Sequence, residues 1–433
     1  MATSCAVMAN VGGAWHHAAM GNEERLTAKQ FQQAGGVEDW RVLAFGASAW
    51  FVAPSHAAGA ALVRRIAELT DELPDVDLRA RGVHVRILRL NEANAALAAA
   101  ISTAARDVGL TADPSALQTV QLAFDVTDRA AVMPFWRTAM AYVQSGDEDL
   151  VDPLRRDPSI WFQQQDQPRP LRNRIHLDVS PPYARTPEAA KVLGGPFGVA
   201  HADAEGNEAD IIPMEPIDEL GAESDWRGPF VGTAFYPTAS ADLVTIVAEL
   251  ADEADFALLV DLRPDGVTID TGKDQHEDER FPALARRIQE AARGLGLLAD
   301  PTRVRFVQLG IDAVDVPAVR TFWRTVLGYE YDPRSHVTDI YDPRRLNMPI
   351  FFQQMPASEE ARRTQRNRIH VDVFVPDDQA RARLDAALGA GGRIVYDDEA
   401  PAWWTLADPE GNEVDIAVSV GRAERWAAPQ TES

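Results

Sequence analysis

Two sets of polar residues recur in this chain with types suited to moving protons or holding a small molecule. Gln308, Gln353, His370 and Asp415 form one set; Gln121, Gln163, His176 and Asp210 form the other. Each sits in a segment that alternates apolar and polar, so strand geometry throws it to the face opposite the aliphatic side chains. In FVQLGIDA, Val307, Leu309 and Ile311 share one face and leave Gln308 on the other; in RIHVDV, Ile369 and Val371 oppose His370 and Asp372. An imidazole titrates near neutral pH and a carboxylate can orient it, so His370 with Asp415, and His176 with Asp210, are the candidate general acid–base pairs. Gln308, Gln353, Asp372, Gln121 and Gln163 are the candidate polar substrate contacts. Phe351, Trp161 and Trp404 are the candidate walls, because aromatic faces suit a flat or apolar ligand. A histidine and an aspartate that only satisfy each other across a sheet would read the same way.

The sets recur because the chain is duplicated. GLTADPSALQTVQLAFDV at Gly109 returns as GLLADPTRVRFVQLGIDA at Gly296, RNRIHLDV at Arg172 as RNRIHVDV at Arg366, and AEGNEADI at Ala204 as PEGNEVDI at Pro409. So long a repeat is a doubled domain set, not a short solenoid period. The predicted fold class is α+β. Residues 24–116 and 225–302 read as helix-rich blocks, with Leu62, Ile66, Leu69 and Leu73 as one helical stripe and Leu97, Ile101, Ala104 and Val108 as another, closed by Gly109. Residues 117–213 and 303–420 read as strand-led blocks of two βαβββ units each. A linker over 214–224, a disordered segment 1–23 and a tail 421–433 complete the map.

In strand order and in the RIHVDV and ADPEGNEVDIAV motifs, the strand-led blocks resemble the glyoxalase-like branch of the vicinal oxygen chelate superfamily. There, paired units form a cup-shaped sheet, and the resemblance implies one cup per copy. It also implies that a metal, if bound, would be held by Gln308, Gln353, His370 and Asp415. Two amides, one imidazole and one carboxylate are a weak donor set, so the expectation is no cofactor, with a divalent cation as the exception. The first copy lacks an equivalent of APAWWTLAD between Gly194 and Asp203, which predicts an incomplete first cup.

The helix-rich blocks look like pterin-4a-carbinolamine dehydratase in the order tryptophan-led strand, long helix, strand, helix. That family's His-His-Pro triplet is replaced here by Glu72-Leu73-Pro74 and Glu253-Ala254-Asp255, which removes the proton carriers that reaction needs. His84 reads as a surface or sheet-packing residue.

Composition bounds the partners. A net charge of −24 argues against nucleic acid and anionic membranes, and no run of ~20 apolar residues could span a bilayer. Cys5 is the single cysteine, which excludes an intramolecular disulfide and fits a reducing, cytoplasmic setting. Arg172-Asn173-Arg174 and Arg366-Asn367-Arg368 could grip an anionic substrate or pair with acids. The expected function is a small-molecule enzyme of lyase, isomerase or dehydratase type, centred on the second cup. The alternatives are a non-catalytic sequestering protein and a true pterin dehydratase. The expected assembly is either a monomer whose halves pair about a pseudo-two-fold or a homodimer.

Overall fold

The computed structural model describes residues 25–182, 191–192 and 200–427. The expected disordered segment 1–23 and the tail beyond 427 lie outside the described residues, as does most of 183–199. Among the described residues no helix is long and apolar enough to cross a membrane.

Both helix-rich blocks build one ten-stranded sheet. The strands Asp75–Arg79 and Leu259–Arg263 pair antiparallel at its centre, with Asp77 opposite Asp261. Helices His56–Leu69 and Ala241–Glu253 pack on each other over one face of this sheet. The first is capped by the Ser55 side chain, which accepts from the Ala58 N–H, and it buries Leu62 and Ile66 as the stripe predicts; Leu69 falls outside the stripe, 41% exposed. Gly109 follows the next helix with φ +81°, the left-handed conformation that glycine reaches without strain. The segment expected to be a linker is part of this sheet: Glu215–Pro216 pairs with Arg227–Gly228, and Ile217 enters the core.

The strand-led blocks form two eight-stranded sheets, and the copies are exchanged between them. Thr119–Val126 of the first copy pairs antiparallel with Ile369–Phe374 of the second, Gln121 lying opposite Asp372. Ile175–Ser180 of the first copy pairs with Phe306–Ala313 of the second, Asp178 lying opposite Gln308. Each sheet therefore joins the first unit of one copy to the second unit of the other, which corrects the expectation of one cup per copy. The reason lies in the duplication itself. Alternation dictates which face a strand buries, but two near-identical copies offer the same face to either partner. The sheet that carries His176 also holds eight strands, with Ala200–Ala202 standing where the longer Trp403–Ala407 stands in the other. It is short at that position, not missing a strand. Both sheets share one apolar core, which contains Phe124, Trp136, Leu177, Leu309, Trp323 and Val371.

The exchange is locked by reciprocal contacts. The Asn367 side-chain oxygen accepts from the Arg174 N–H at 2.9 Å, and that of Asn173 accepts from the Arg368 N–H at 3.0 Å. The Arg174 guanidinium donates to the carbonyls of Arg363 and Glu410, both at 2.6 Å. In the ten-stranded sheet, Arg79 pairs with Asp261 at 2.7 Å and Arg263 with Asp77 at 2.6 Å, all four buried. Burial alone would raise the Asp77 carboxyl; Arg263, with His84 and Arg79, holds it well below the usual carboxylate range. Removing one member of a buried pair strands the other charge. Arg263→Met should therefore cost about 3–5 kcal/mol in urea unfolding at pH 7, whereas a loss under about 1 kcal/mol would show that the pair does not hold the halves together.

Candidate functional site

Strand alternation places the polar side chains as the sequence predicts, but the exchange regroups them. In one mixed sheet Leu122, Phe124, Val371, Val373, Val414 and Ile416 enter the core, leaving Gln121, His370, Asp372 and Asp415 on the opposite face. Asp372 lies beside both Gln121 and Asp415 in the register. His370, Asp372 and Asp415 offer ligand atoms that all lie within 4.8 Å of one another. His370 Nε2 is 3.6 Å from Asp372 Oδ1, an electrostatic contact too long for a hydrogen bond. The Gln121 amide donates to Ser159 Oγ at 3.1 Å, and the Thr405 hydroxyl hydrogen-bonds Asp415.

The other sheet repeats the arrangement with His176, Asp178, Asp210 and Gln308. The three titratable groups again fall within 4.8 Å of one another. Gln308 Nε2 donates to Asp178 Oδ2 at 2.7 Å, and His176 Nε2 is 3.9 Å from Asp178 Oδ1. Gly310 lies opposite His176, where a Cβ would fall 2.4 Å from the imidazole; glycine is needed for that ring to fit. The His176 ring meets Phe351 edge-on, with centroids 5.5 Å apart.

The expected foursome Gln308, Gln353, His370 and Asp415 is therefore not one site. Gln308 belongs with His176, Asp178 and Asp210; Gln121 belongs with His370, Asp372 and Asp415. Gln163 pairs with Asp125, and Gln353 with Asp312, each four residues along the strand from Gln121 or Gln308. They lie two register positions from Ala123 and Gly310, the residues opposite His370 and His176. Trp404 lies on the core side, packed against the shared apolar cluster; Trp403 takes the polar face. There Trp403, Trp161 and Phe374 pack with Trp50 from the ten-stranded sheet, on the same face of the mixed sheet as the His370 cluster. The expected tail forms the helix Arg422–Ala427, and the Arg422 guanidinium lies over the Phe374 and Trp403 rings at 5.3 and 5.7 Å.

Sequence reasoning missed Asp178, although the Asp372 of the repeated RNRIHxDV motif pointed to it, and missed Ser159, Thr405 and Arg422, which carry no motif. The outer arginines of the Arg-Asn-Arg triplets act on the clusters through their charge, Arg366 on His370 and Asp415 and Arg172 on Asp210. Arg174 and Arg368 are buried and clamp the other copy, while Arg172 pairs with Glu208 at 2.7 Å and Arg366 with Glu413 at 2.7 Å.

Burial sets the electrostatics. Desolvation, with Asp415 adding repulsion, pushes the Asp372 carboxyl up to about 7, and burial raises Asp415, Asp178 and Asp210 as well. Burial would lower the His370 imidazole, but Asp125, Asp372 and Asp415 together raise it. Burial lowers Arg422 to about 10 despite its acidic neighbours.

Residues 121–212 and 308–417, the two segments that carry both clusters, match the family model of a glyoxalase-like domain. Each matched segment contributes one unit to each mixed sheet. Among solved structures, the chain is similar to glyoxalase I from Zea mays at 8% identity, over 73% of this chain and 98% of that one, with a TM-score of 0.35. It is also similar to a putative glyoxalase from Bacillus halodurans at 19% identity, over 26% and 92%, with a TM-score of 0.21. A glyoxalase-related enzyme from Fulvimarina pelagi matches at 15% identity, over 26% and 85%, with a TM-score of 0.20. No curated protein matches the chain.

The raised Asp372 carboxyl makes a stability prediction with a definite sign. Its folded pKa of about 7 lies above the ordinary 3.8, so the folded state holds this proton more tightly than the unfolded state. That contribution is fully present below about pH 4 and is lost as pH rises toward 7. In chelator-treated protein, Asp372→Asn should melt higher than the parent at pH 8, with the gap closing toward pH 4. A gap that does not change with pH would contradict this assignment.

Proposed function

We propose that the protein is a small-molecule enzyme whose reaction centres are the two buried His–Asp–Asp clusters. One observation supports this most: several oxygens in each cluster are buried with no hydrogen-bond donor among the described residues. They are Gln121 Oε1, Asp372 Oδ1 and Asp415 Oδ1 in one sheet, and Gln308 Oε1 and Asp178 Oδ1 in the other. Each unsatisfied buried acceptor costs about 1–3 kcal/mol, so atoms kept this way in both copies are best explained by something other than protein that they bind.

In the first reading the clusters transfer protons. A carboxyl near 7 beside a histidine drawn toward its charged form gives a pair able to exchange a proton at neutral pH. That suits isomerisation, dehydration or lyase chemistry at a carbon next to a carbonyl. Thr405 fixes Asp415, and Ser159 fixes the Gln121 amide so that its oxygen is left without a donor.

A second reading rests on the same oxygens. One imidazole, two carboxylates and an amide oxygen form a better set for a divalent cation than the one expected from sequence, because the two carboxylates balance its charge. His370, Asp372, Asp415 and Gln121 would hold it in one sheet, and His176, Asp178, Asp210 and Gln308 in the other. Bound there, a cation would polarise a substrate oxygen as a Lewis acid.

The pterin dehydratase likeness of the helix-rich blocks is proposed as one of fold only. The partner is a small molecule, the setting cytoplasmic, and nucleic acid plays no part.

A ligand-shift thermal screen identifies a binding compound, and turnover of that compound then separates the readings. His370→Ala combined with His176→Ala should lower turnover by about 10²–10⁴-fold. Metal analysis of protein purified without chelator should find a divalent cation only under the second reading, and the double variant should then lose it. A bound compound that is never turned over, with affinity unchanged in the double variant, would instead mark a sequestering protein. Turnover that survives both substitutions would remove the clusters from catalysis altogether.

A further inference from the structure

A cavity of about 760 Å³ lies between the ten-stranded sheet and the loops that lead into Ile160–Gln164 and Ile350–Gln354, with Ser159, the partner of Gln121, in its wall. Ten of its lining side chains are Arg or Lys and five are Asp, in a chain whose net charge is −24. His84 faces it from within the sheet, buried, with Nδ1 hydrogen-bonded to Asp77 Oδ2 of the neighbouring strand at 2.7 Å.

The two loops are repeats of each other, Asp152-Pro153-Leu154-Arg155-Arg156 and Asp342-Pro343-Arg344-Arg345-Leu346. Asp152 and Asp342 turn them alike, each accepting from the N–H two residues on at 2.9 Å. Arg155 and Arg345 share a left-handed backbone, with φ of +54° and +53°. Their carbonyls are held by symmetry-related arginines: Arg263 donates to the Arg155 oxygen, and Arg79 to the Arg345 oxygen.

Their guanidinium groups differ. Arg155 makes an ion pair with Asp75 at 2.8 Å. In the second copy DVDLR has become LVDLR, so Leu259 stands where Asp75 stands in the first. Among the described residues Arg345 has no carboxylate partner; its guanidinium lies 3.7 Å from the centre of the Tyr341 ring. Burial draws its pKa down against the more distant pull of Tyr341, Asp342, Asp332 and Glu330, none of which forms an ion pair with it. Leu259, Leu346, Met348 and Phe306 line the same cavity. The duplication has thus left one arginine unpaired beside apolar surface, inside a volume of the size that holds small ligands.

We propose that Arg345 is the anion grip of a second small-molecule site in this cavity, one that takes an organic anion with a single carboxylate or phosphate head and an apolar body. A guanidinium offers paired N–H donors that match either head group. The bound head group would supply the negative charge that Asp75 supplies to Arg155.

Titration calorimetry of the full chain with benzoate, phenyl phosphate and neutral benzamide tests this. At least one of the two anions should bind where benzamide does not, and whichever binds identifies the head group. Arg345→Met should weaken that binding by about tenfold or more. Leu259→Asp, which restores the missing carboxylate while leaving Arg345 in place, should weaken it similarly and covers the case in which Arg345→Met fails to fold. Equal binding of benzamide and the anions, no binding of either anion, or parent-like affinity in Leu259→Asp would each overturn the proposal.

Discussion

Two antiparallel strand pairings carry the rest of this structure: Thr119–Val126 with Ile369–Phe374, and Phe306–Ala313 with Ile175–Ser180. Each crosses from one copy of the repeat to the other, so no glyoxalase-like sheet is made by one copy alone. Contacts lock the crossing at every level. Asn173 and Asn367 satisfy each other's neighbouring backbone N–H groups, Arg174 and Arg368 thread into the opposite copy, and Arg79 and Arg263 exchange carboxylates at the centre of the ten-stranded sheet. The arrangement matches what two separate chains would form by swapping identical units, here within one chain.

The pairings also create the electrostatics of the site. Bringing Asp372 between Gln121 and Asp415, and Asp178 between Gln308 and Asp210, buries two carboxylates and an imidazole together beside a side-chain amide in each sheet. Such a group can relieve its desolvation by holding a proton, by sharing one with the histidine, or by binding a cation. Structural economy alone would have replaced these residues with apolar ones. Retention of the same atoms in both sheets is the physical basis for treating them as reaction centres, and the loss of Asp75's counterpart at Leu259 is the same reasoning applied to a position where the copies differ.

Much of this was legible in the sequence because it depends on local periodicity. The apolar stripe around Leu62 and Ile66, the Gly109 turn, the burial of Val307, Leu309 and Ile311, and the polar facing of Gln121, Gln308, His176, His370 and Asp415 all follow from spacing. What could not be read was partnership. Alternation assigns a face and is silent about which of two near-identical strands lies alongside, so Gln308 was grouped with His370 when it lies with His176. Between Trp403 and Trp404, a single residue of phase decided which ring met the core. Ser159 and Arg422 reach the clusters from elements that carry no repeated motif, and nothing local marks them.

Cross-linking at the strand ends tests the exchange most directly. With Cys5 replaced by serine, cysteines at positions 119 and 374, directly opposite in the register, should oxidise to an intramolecular disulfide detectable by peptide mapping, since paired strands bring Cα atoms within the ~4.4–6.8 Å that a disulfide requires. Cysteines at 119 and 180, which would be opposite if each copy closed its own sheet, should not. Linkage of 119 to 180, with none between 119 and 374, would contradict the account.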